Sequence, residues 1–241
     1  MVQTLQHAWA PHDGQAIPLL TATLILCADH ELNTSTFTAR CVASAGSSPY
    51  AVVLAGLATS PGRRYCAGSI EQIERLLHEI GCKENVRPTL AQYLKSGESI
   101  PGFGHDLYPD GDPRGRLLLR LIATAYPVSA VVTLVESLVE AISELLGDAP
   151  AIEVGIVTLA QALHLPRGAA MTLFVLGRMI GWIGHAIEEC QAQRLIRLRA
   201  RYVGSYPPLT ASECMVARGH VKDVISTVEV PYINDGKKDG A

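Results

Sequence analysis

The sequence has few aromatic residues and no excess of positive charge. Aromatic side chains make up 5% of the 241 residues, and 20 lysines and arginines are outnumbered by 23 acidic residues, for a net charge of −3. Domains that bind nucleic acid usually concentrate basic side chains on one face and interleave them with aromatics. The composition therefore argues against nucleic acid or another polyanion as a partner.

The sequence also lacks an apolar run free of charge and long enough to cross a membrane. The two most apolar stretches are residues 117–139 and 169–187. The first contains two charged residues and a proline, and the second carries Arg178 at its middle. A charge at the centre of a spanning helix costs about 2.5–3.5 kcal/mol. We therefore interpret both stretches as buried helices of a soluble protein and expect no membrane partner.

Neither a secretory signal nor a cysteine framework is visible. Residues 1–7 contain no basic region followed by an apolar core. Six cysteines stand far apart, at positions 27, 41, 66, 82, 190 and 214. Without a signal they are expected to be free thiols in a cytoplasmic protein. His78 and Cys82 lie one helical turn apart, but no second ligand pair accompanies them, so we predict no metal site.

Helical periodicity dominates the chain and predicts an all-α fold. Apolar residues recur at helical spacing before Gly81, which is a natural helix stop. The predicted helices, separated by short Gly- and Pro-containing connections, cover residues 16–29, 35–45, 50–58, 70–80, 117–126, 128–146, 152–163 and 169–189. Residues 205–241 have little periodicity and are predicted to be an irregular tail, with residues 224–232 as an isolated strand.

The most informative segment is residues 101–116, which read PGFGHDLYPDGDPRGR. His105 follows a glycine-rich turn, and Arg114 follows a rigid Asp-Gly-Asp-Pro turn. Glycine lets the backbone approach a ligand closely, and proline fixes the chain on either side. Histidine can donate, accept or carry charge near neutral pH, while arginine presents a planar fork that fits a carboxylate. The segment therefore predicts a site for a small organic anion.

Four further segments occur in an order and spacing that suggest a family. They read LILCADHELNTST, DAPAIEV, LGRMIGWIGHAIEE and RLIRLRARYVG, at residues 24–36, 148–154, 176–189 and 194–204. Together with residues 101–116, they make residues 15–204 resemble the citrate synthase family, specifically its bacterial citrate/2-methylcitrate synthase-like branch.

The resemblance implies an all-α fold with a large and a small domain that works as a homodimer and closes over its substrates. Such enzymes condense acetyl-CoA or a related acyl-CoA with oxaloacetate, and need no cofactor apart from the acyl-CoA substrate. On that basis we expect partial large-domain helices in residues 1–66 and the small domain in 67–158. Residues 159–204 would return to the large domain. Typical members are longer, so we expect either a shortened paralogue or a partner chain that supplies the remaining surface.

The resemblance assigns the oxaloacetate-binding half of the site. His30 matches the histidine of the family's Asp-His-Glu motif, and His105 matches the histidine that bonds to the ketone of oxaloacetate. Arg114, Arg178 and Arg197 match the arginines that clamp the dicarboxylate, the last of them reaching across the dimer. Arg178 lies in an otherwise apolar helix, so an anion or a buried acidic partner is expected to balance its charge.

The acyl-CoA half departs from the family pattern. The resemblance places Glu153 where the family has an aspartate base, so the carboxylate is one methylene farther from the backbone. The enolate-stabilising histidine is replaced, and counting from either side puts Tyr65 or Cys66 at its position. Cys27 stands where the family has another histidine. His164 and His185 show no catalytic pattern.

Two functions fit these residues, and they belong to different classes. The first is a citrate synthase-like acyltransferase in which His105 polarises the ketone, Glu153 takes the α-proton, and Tyr65 or Cys66 stabilises the enolate. The alternative is a non-catalytic paralogue that binds a dicarboxylate or forms a heteromer with a full-length partner. A decaying gene product is a third interpretation, which predicts poor folding.

Overall fold

Ten α-helices follow one another along the described part of the chain. The computed structural model describes residues 1–60, 62, 66–105 and 107–199, and only the backbone of residues 66–68. The helices are α1 (Val2–Trp9), α2 (Ala16–Cys27), α3 (Thr34–Ser44), α4 (Pro49–Thr59), α5 (Cys66–Ile80), α6 (Val86–Ser96), α7 (Pro113–Ala125), α8 (Ala130–Leu146), α9 (Ile152–Ala162) and α10 (Ala169–Ala192). The all-α prediction is confirmed.

The sequence pattern missed two helices and began two others, α5 and α7, four residues too late. Helix α6 was not predicted, because Pro88 and several polar residues interrupt its apolar pattern. Pro88 lies in the first turn, where the missing N–H has no intrahelical partner to lose. Helix α1 was also not predicted, and it has no buried residue. Helix α7 begins at Pro113 rather than at residue 117, because Asp112 caps its first turn.

Side-chain caps fix where the helices next to the two histidine loops begin. The Asn33 side chain accepts a hydrogen bond from Thr36 N at 3.0 Å and starts α3 directly after the loop that carries His30. Asp112 accepts from Arg114 N at 2.9 Å and starts α7 after the loop that carries His105. Each cap satisfies a backbone donor at the helix start, so both loops end at defined points.

The buried side chains form two apolar clusters that share α10. The larger cluster contains residues of α2, the helices from α5 to α9 and the N-terminal part of α10. The smaller cluster lies between α3, α4 and the second half of α10, around the fully buried Trp182. Helix α10 therefore connects the two parts of the core.

Helix α10 is long and apolar enough to cross a membrane by length and composition, and among the described residues it alone is so. It packs against α2, α3, α4 and α9. Arg178, within its span, has a side chain with no exposed surface. These contacts favour the interpretation of α10 as a core helix.

The predicted domain limits stay a prediction. One unit, Met1–Arg197, contains all ten helices, and a second unit comprises Leu198–Ala241. Of the second unit, only Leu198 and Arg199 are among the described residues. The predicted tail and the predicted strand at residues 224–232 lie outside them.

Candidate active site

The loop that carries His105 is bonded to the loop that precedes α9. Gly104 N donates to Ala149 O at 3.1 Å, and Ala151 N donates to Gly102 O at 2.8 Å, on either side of a Phe103–Pro150 bridge. Gly102 has φ +83°, and a Cβ there would lie 2.6 Å from an Ile73 side-chain atom. Glycine is therefore required at position 102, and the pairing carries His105 towards the start of α9.

His30 and His105, predicted from motifs 75 residues apart, are in contact. Their Nε2 atoms lie 3.1 Å apart. Leu107 N donates to His105 Nδ1 at 3.1 Å, which assigns the proton of neutral His105 to Nε2 and makes His30 Nε2 the acceptor. Burial, followed by the charge of Arg114, lowers the pKa of His30 from 6.5 to about 4. His30 is therefore neutral at pH 7, as an acceptor must be.

Asp112 holds Arg114 and the start of α9 together. Its carboxylate accepts from Arg114 Nε at 3.0 Å and Nη2 at 2.9 Å, and from Ile152 N at 3.0 Å. Burial raises the pKa of this carboxyl, but the hydrogen bonds and charge of Arg114 outweigh burial and keep the pKa below its usual value. Arg114 Nη1 also donates to Asp29 O at 3.4 Å. The buried Asp112 thus fixes a cation beside the loop of His30.

Tyr108 packs against three of the predicted site residues. Its ring stacks on His30 with centroids 6.1 Å apart and tilts against His105 at 5.1 Å. The Arg114 guanidinium carbon lies 5.3 Å from the centre of the same ring, which is within cation–π range. Tyr108 therefore fixes the relative positions of both imidazoles and the guanidinium.

Arg178 reaches the other side of the His30 loop from α10. Its Nη1 donates to Ala28 O at 2.6 Å, and its Nη2 donates to Glu31 O at 3.4 Å and to the Thr36 hydroxyl. The Asp29 carboxylate lies 3.6 Å from Arg178 Nη1 and is 74% exposed, so it is an acidic partner at the surface. The backbone carbonyls of Ala28 and Glu31 add hydrogen bonds from the end of α2 and the loop after it. A cation is favourable at a helix C-terminus.

Glu153 lies in the first turn of α9, directly after the residue whose N–H bonds to Asp112. Its side chain is partly exposed. Its charge raises the pKa values of both Arg114 and Cys27, so it lies within electrostatic reach of the two. The structure thus brings the predicted base to the same junction as Arg114.

Cys27, at the end of α2, is buried near Arg114, Glu153 and Arg178. Burial raises the pKa of its thiol to about 12, so the sulfur stays protonated near neutral pH. Its Cβ would lie 2.6 Å from a Cβ added to Gly177 of α10, which shows how closely the two helices pack. Cys27 is therefore a packing residue in this structure.

Of the other three predicted site residues, only Arg197 has a described side chain, and it lies away from the histidines. Arg197 is exposed, and the adjacent Ile196 N bonds to Ser44 Oγ at the C-terminal end of α3. Arg178 contacts Thr36 near the opposite end of α3, about 12 Å away along the helix axis. Tyr65 lies outside the described residues, and the side chain of Cys66, the first residue of α5, is likewise not described.

A cavity of about 710 Å³ opens beside the two bonded loops. Its lining includes Phe103, His105, Tyr108, Pro109 and Asp148. The cavity is large enough for a small organic ligand. His105 thus lies between this cavity and the cluster of His30 and the two arginines.

Sequence reasoning missed three residues of this region, namely Tyr108, Asp112 and His185. A signal existed for Asp112, because aspartate before proline is a typical helix cap. His185 lies about two helical turns after Arg178, and its Nε2 is 3.3 Å from the Asp29 carboxylate. No short motif marks this contact, because the two residues are 156 positions apart in the chain.

Comparison with known proteins identifies the family. The family model for the C-terminal domain of citrate synthase matches residues 1–199. A citrate synthase of Synechocystis sp. is 31% identical over 223 residues, which cover 88% of this chain and 56% of that protein. A 2-methylcitrate synthase of Shewanella oneidensis is 31% identical over 212 residues, covering 84% and 54%. The chain thus spans about half the length of these curated relatives.

Two solved structures of similar fold differ in how much of their own chain is matched. Citrate synthase from Thermotoga maritima superposes with a TM-score of 0.75 at 28% identity, over 87% of this chain and 59% of that one. Citryl-CoA lyase from Hydrogenobacter thermophilus gives 0.75 at 24% identity, over 89% of this chain and 88% of that one. The second likeness concerns the fold alone.

Proposed function

The chain belongs to the citrate synthase family, and on that premise we propose that it condenses an acyl-CoA with oxaloacetate or a related 2-oxo acid. The observation that carries the proposal is the grouping of His30, His105, Arg114 and Arg178 around one loop, with the Glu153 carboxylate at the adjoining helix start. Two cations and two imidazoles suit a dicarboxylate that also carries a ketone.

In the oxo-acid half, the arginines bind the two carboxylates and the histidines bind the ketone end. His105 Nε2–H, which now points at His30, is the donor that turns to the ketone oxygen and polarises it. Tyr108 and Asp112 keep His105 and Arg114 in place during this exchange of partners. Fixed donors of this kind lower the barrier because they need no reorganisation when charge develops.

In the acyl half, Glu153 removes a proton from the α-carbon of the acyl thioester. The electron pair left behind forms the enolate, whose oxygen receives a hydrogen bond from Tyr65 or Cys66. The enolate carbon then attacks the polarised ketone carbon, and the ketone oxygen takes a proton from His105. Hydrolysis of the resulting citryl-type thioester releases free CoA. The acyl-CoA is the substrate, and the scheme needs no cofactor.

The same proposal includes a second protomer. Within one chain, the residue next to Arg197 and Arg178 contact opposite ends of α3, about 12 Å apart. The predicted role of Arg197 in the clamp therefore requires a partner subunit. We propose a homodimer or a heteromer with a paralogue. A cytoplasmic location fits this chemistry.

A second candidate function is binding without turnover. It is favoured by the replacement of the family's enolate-stabilising histidine, whereas the dicarboxylate-binding residues are kept. In this case the chain binds a dicarboxylate or completes a heteromer with a full-length paralogue. The two functions differ only in whether bound oxo acid is consumed.

Release of free CoA tests the catalytic proposal. The protein is incubated with oxaloacetate and a panel of acyl-CoAs that includes acetyl- and propionyl-CoA. We expect release with wild type and Glu153→Asp, and at least about a hundredfold less with Glu153→Gln, because a general base contributes that much. No release by wild type with any thioester, alongside normal oxaloacetate binding, would establish the binding-only function instead.

A further inference from the structure

The loop of residues 28–31, between α2 and α3, has a backbone that needs outside support. Glu31 has φ 51°, in the left-handed region that a side chain with a Cβ rarely adopts. Such a conformation persists only where surrounding contacts determine it. Because the loop carries His30, those contacts also determine where the imidazole meets His105.

Two of the supporting side chains have another task in the proposed reaction. Arg114 donates to Asp29 O at 3.4 Å, and Arg178 donates to Ala28 O and Glu31 O at 2.6 and 3.4 Å. When these guanidinium groups turn N–H donors towards the carboxylates of an oxo acid, fewer donors remain for the loop. The loop therefore needs a support that the substrate does not compete for.

His185 of α10 provides that support through the side chain of Asp29. Its Nε2 lies 3.3 Å from Asp29 Oδ1. Because the ionised Asp29 carboxylate can only accept, this contact places a proton on His185 Nε2, which His185 donates to Asp29. On the other side of the ring, Nδ1 lies 3.0 Å from Arg40 Nη1 and 3.3 Å from Glu188 Oε2. Burial raises the pKa of the Asp29 carboxyl, but the hydrogen bonds from His185 and from the backbone N–H of His30 outweigh burial and keep the pKa below its usual value. Through the Asp29 carboxylate, the hydrogen bond from His185 is thus linked to the backbone of His30.

Arg40 is itself held on its far side. It forms ion pairs of 2.7 Å with both Glu188 and Glu189 of α10, and the Glu189 side chain is 1% exposed. The Arg40 and His185 side chains are only 16% and 17% exposed. Since α3 supplies Arg40 and α10 supplies the other three, the support is built from two packed helices.

We propose that His185 is a positioning residue of the oxo-acid site, which holds the 28–31 loop through Asp29 while Arg114 and Arg178 bind the substrate. This role rests on the proposed function. It predicts that loss of the Nε2 donor weakens oxo-acid binding without weakening the fold.

Two substitutions at position 185 separate the donor from the rest of the side chain. His185→Gln places an amide N–H near the position of Nε2 and keeps the bond to Asp29. His185→Asn places its amide near Nδ1, beside Arg40 and Glu188, and loses the bond to Asp29. Titration calorimetry with oxaloacetate should give about five- to tenfold weaker binding for His185→Asn, the factor expected for one hydrogen bond. Binding by His185→Gln and by the control His78→Asn, an exposed histidine of α5, should match wild type.

Hydrogen exchange of the backbone amides at residues 28–31, measured without ligand, is the second readout. Exchange should be faster in His185→Asn than in His185→Gln, with equal melting temperatures for the two variants. Equal affinities of His185→Asn and wild type, or equal losses in both variants, would overturn the positioning role. If wild type fails to bind oxaloacetate, the proposed function fails, and the exchange rates alone decide whether His185 holds the loop.

Discussion

At the residue scale, a single buried carboxylate organises much of the candidate site. Asp112 caps α7, binds two guanidinium nitrogens of Arg114 and accepts the N–H of Ile152 at the start of α9. One side chain therefore fixes the helix that carries Arg114 and the helix that carries Glu153. Because a charge left unpaired in the interior costs far more than an exposed one, each partner depends on the other.

His30 gives a residue-scale prediction about pH. Its pKa is about 4 in the folded protein and close to 6.5 when exposed. Below pH 6.5 the His30 imidazole is protonated in the unfolded chain but stays neutral in the folded protein. Protonation therefore stabilises the unfolded state. We expect the free energy of unfolding to fall between about pH 7.5 and 5.0, and to fall less in His30→Gln. Urea unfolding of both proteins at the two pH values measures the difference.

Asp112 does not interfere with this comparison, because its lowered pKa places its own titration below that range. An equal loss of stability in wild type and His30→Gln would show that His30 titrates normally in the folded protein.

At the element scale, α10 fixes the site because it approaches α2 unusually closely. A Cβ added to Gly181 would lie 1.9 Å from Ala28 O and 2.6 Å from Arg178 Nη1. Without a side chain at position 181, the end of α2 can reach the Arg178 guanidinium. The same helix places Trp182 over Gly56 of α4. Small residues at these crossings thus set the position of the 28–31 loop.

Two glycines of α10 provide a matched pair for this claim. Gly181→Ala should destabilise the protein by about 1–3 kcal/mol, because backbone has to move to admit the methyl group. Gly184→Ala, with nothing within 4 Å of the added Cβ, should stabilise it by about 0.5–1 kcal/mol, because alanine favours the helix. Urea unfolding measures both changes. Destabilisation of the same size in both variants would contradict the close approach at position 181.

Elements with a regular apolar period could be predicted from the sequence, and the contacts between them could not. The periods of α8, α9 and α10 gave helix bounds within a few residues, whereas α6 was missed because Pro88 and polar residues disturb its period. Motifs identified His30, His105 and Arg114 as site candidates. The pairing of His185 with Asp29 left no local pattern, because it depends on how α10 crosses α2.

At the scale of the whole molecule, the candidate site forms where several distant segments meet. Residues 28–31, 101–105 and 148–153 are brought together by backbone pairing and by the bonds of Arg114 and Arg178. The residues proposed to bind the dicarboxylate, Arg197 included, all belong to the unit Met1–Arg197. We therefore expect this chain to bind the oxo acid, with Arg197 of the proposed partner subunit completing the clamp, whereas the proposed acyl half depends on Glu153 and on Tyr65 or Cys66.

Titration calorimetry of the wild-type protein with oxaloacetate and with succinate tests most directly whether the chain binds an oxo acid and bonds its ketone through His105. Both ligands carry two carboxylates, but only oxaloacetate offers a ketone to His105. We expect one oxaloacetate bound per chain and about five- to tenfold weaker binding of succinate, since one hydrogen bond is lost. In His105→Phe, the preference for oxaloacetate should disappear. Failure of the wild-type protein to bind oxaloacetate, or equal binding of both ligands by wild type, would contradict these expectations.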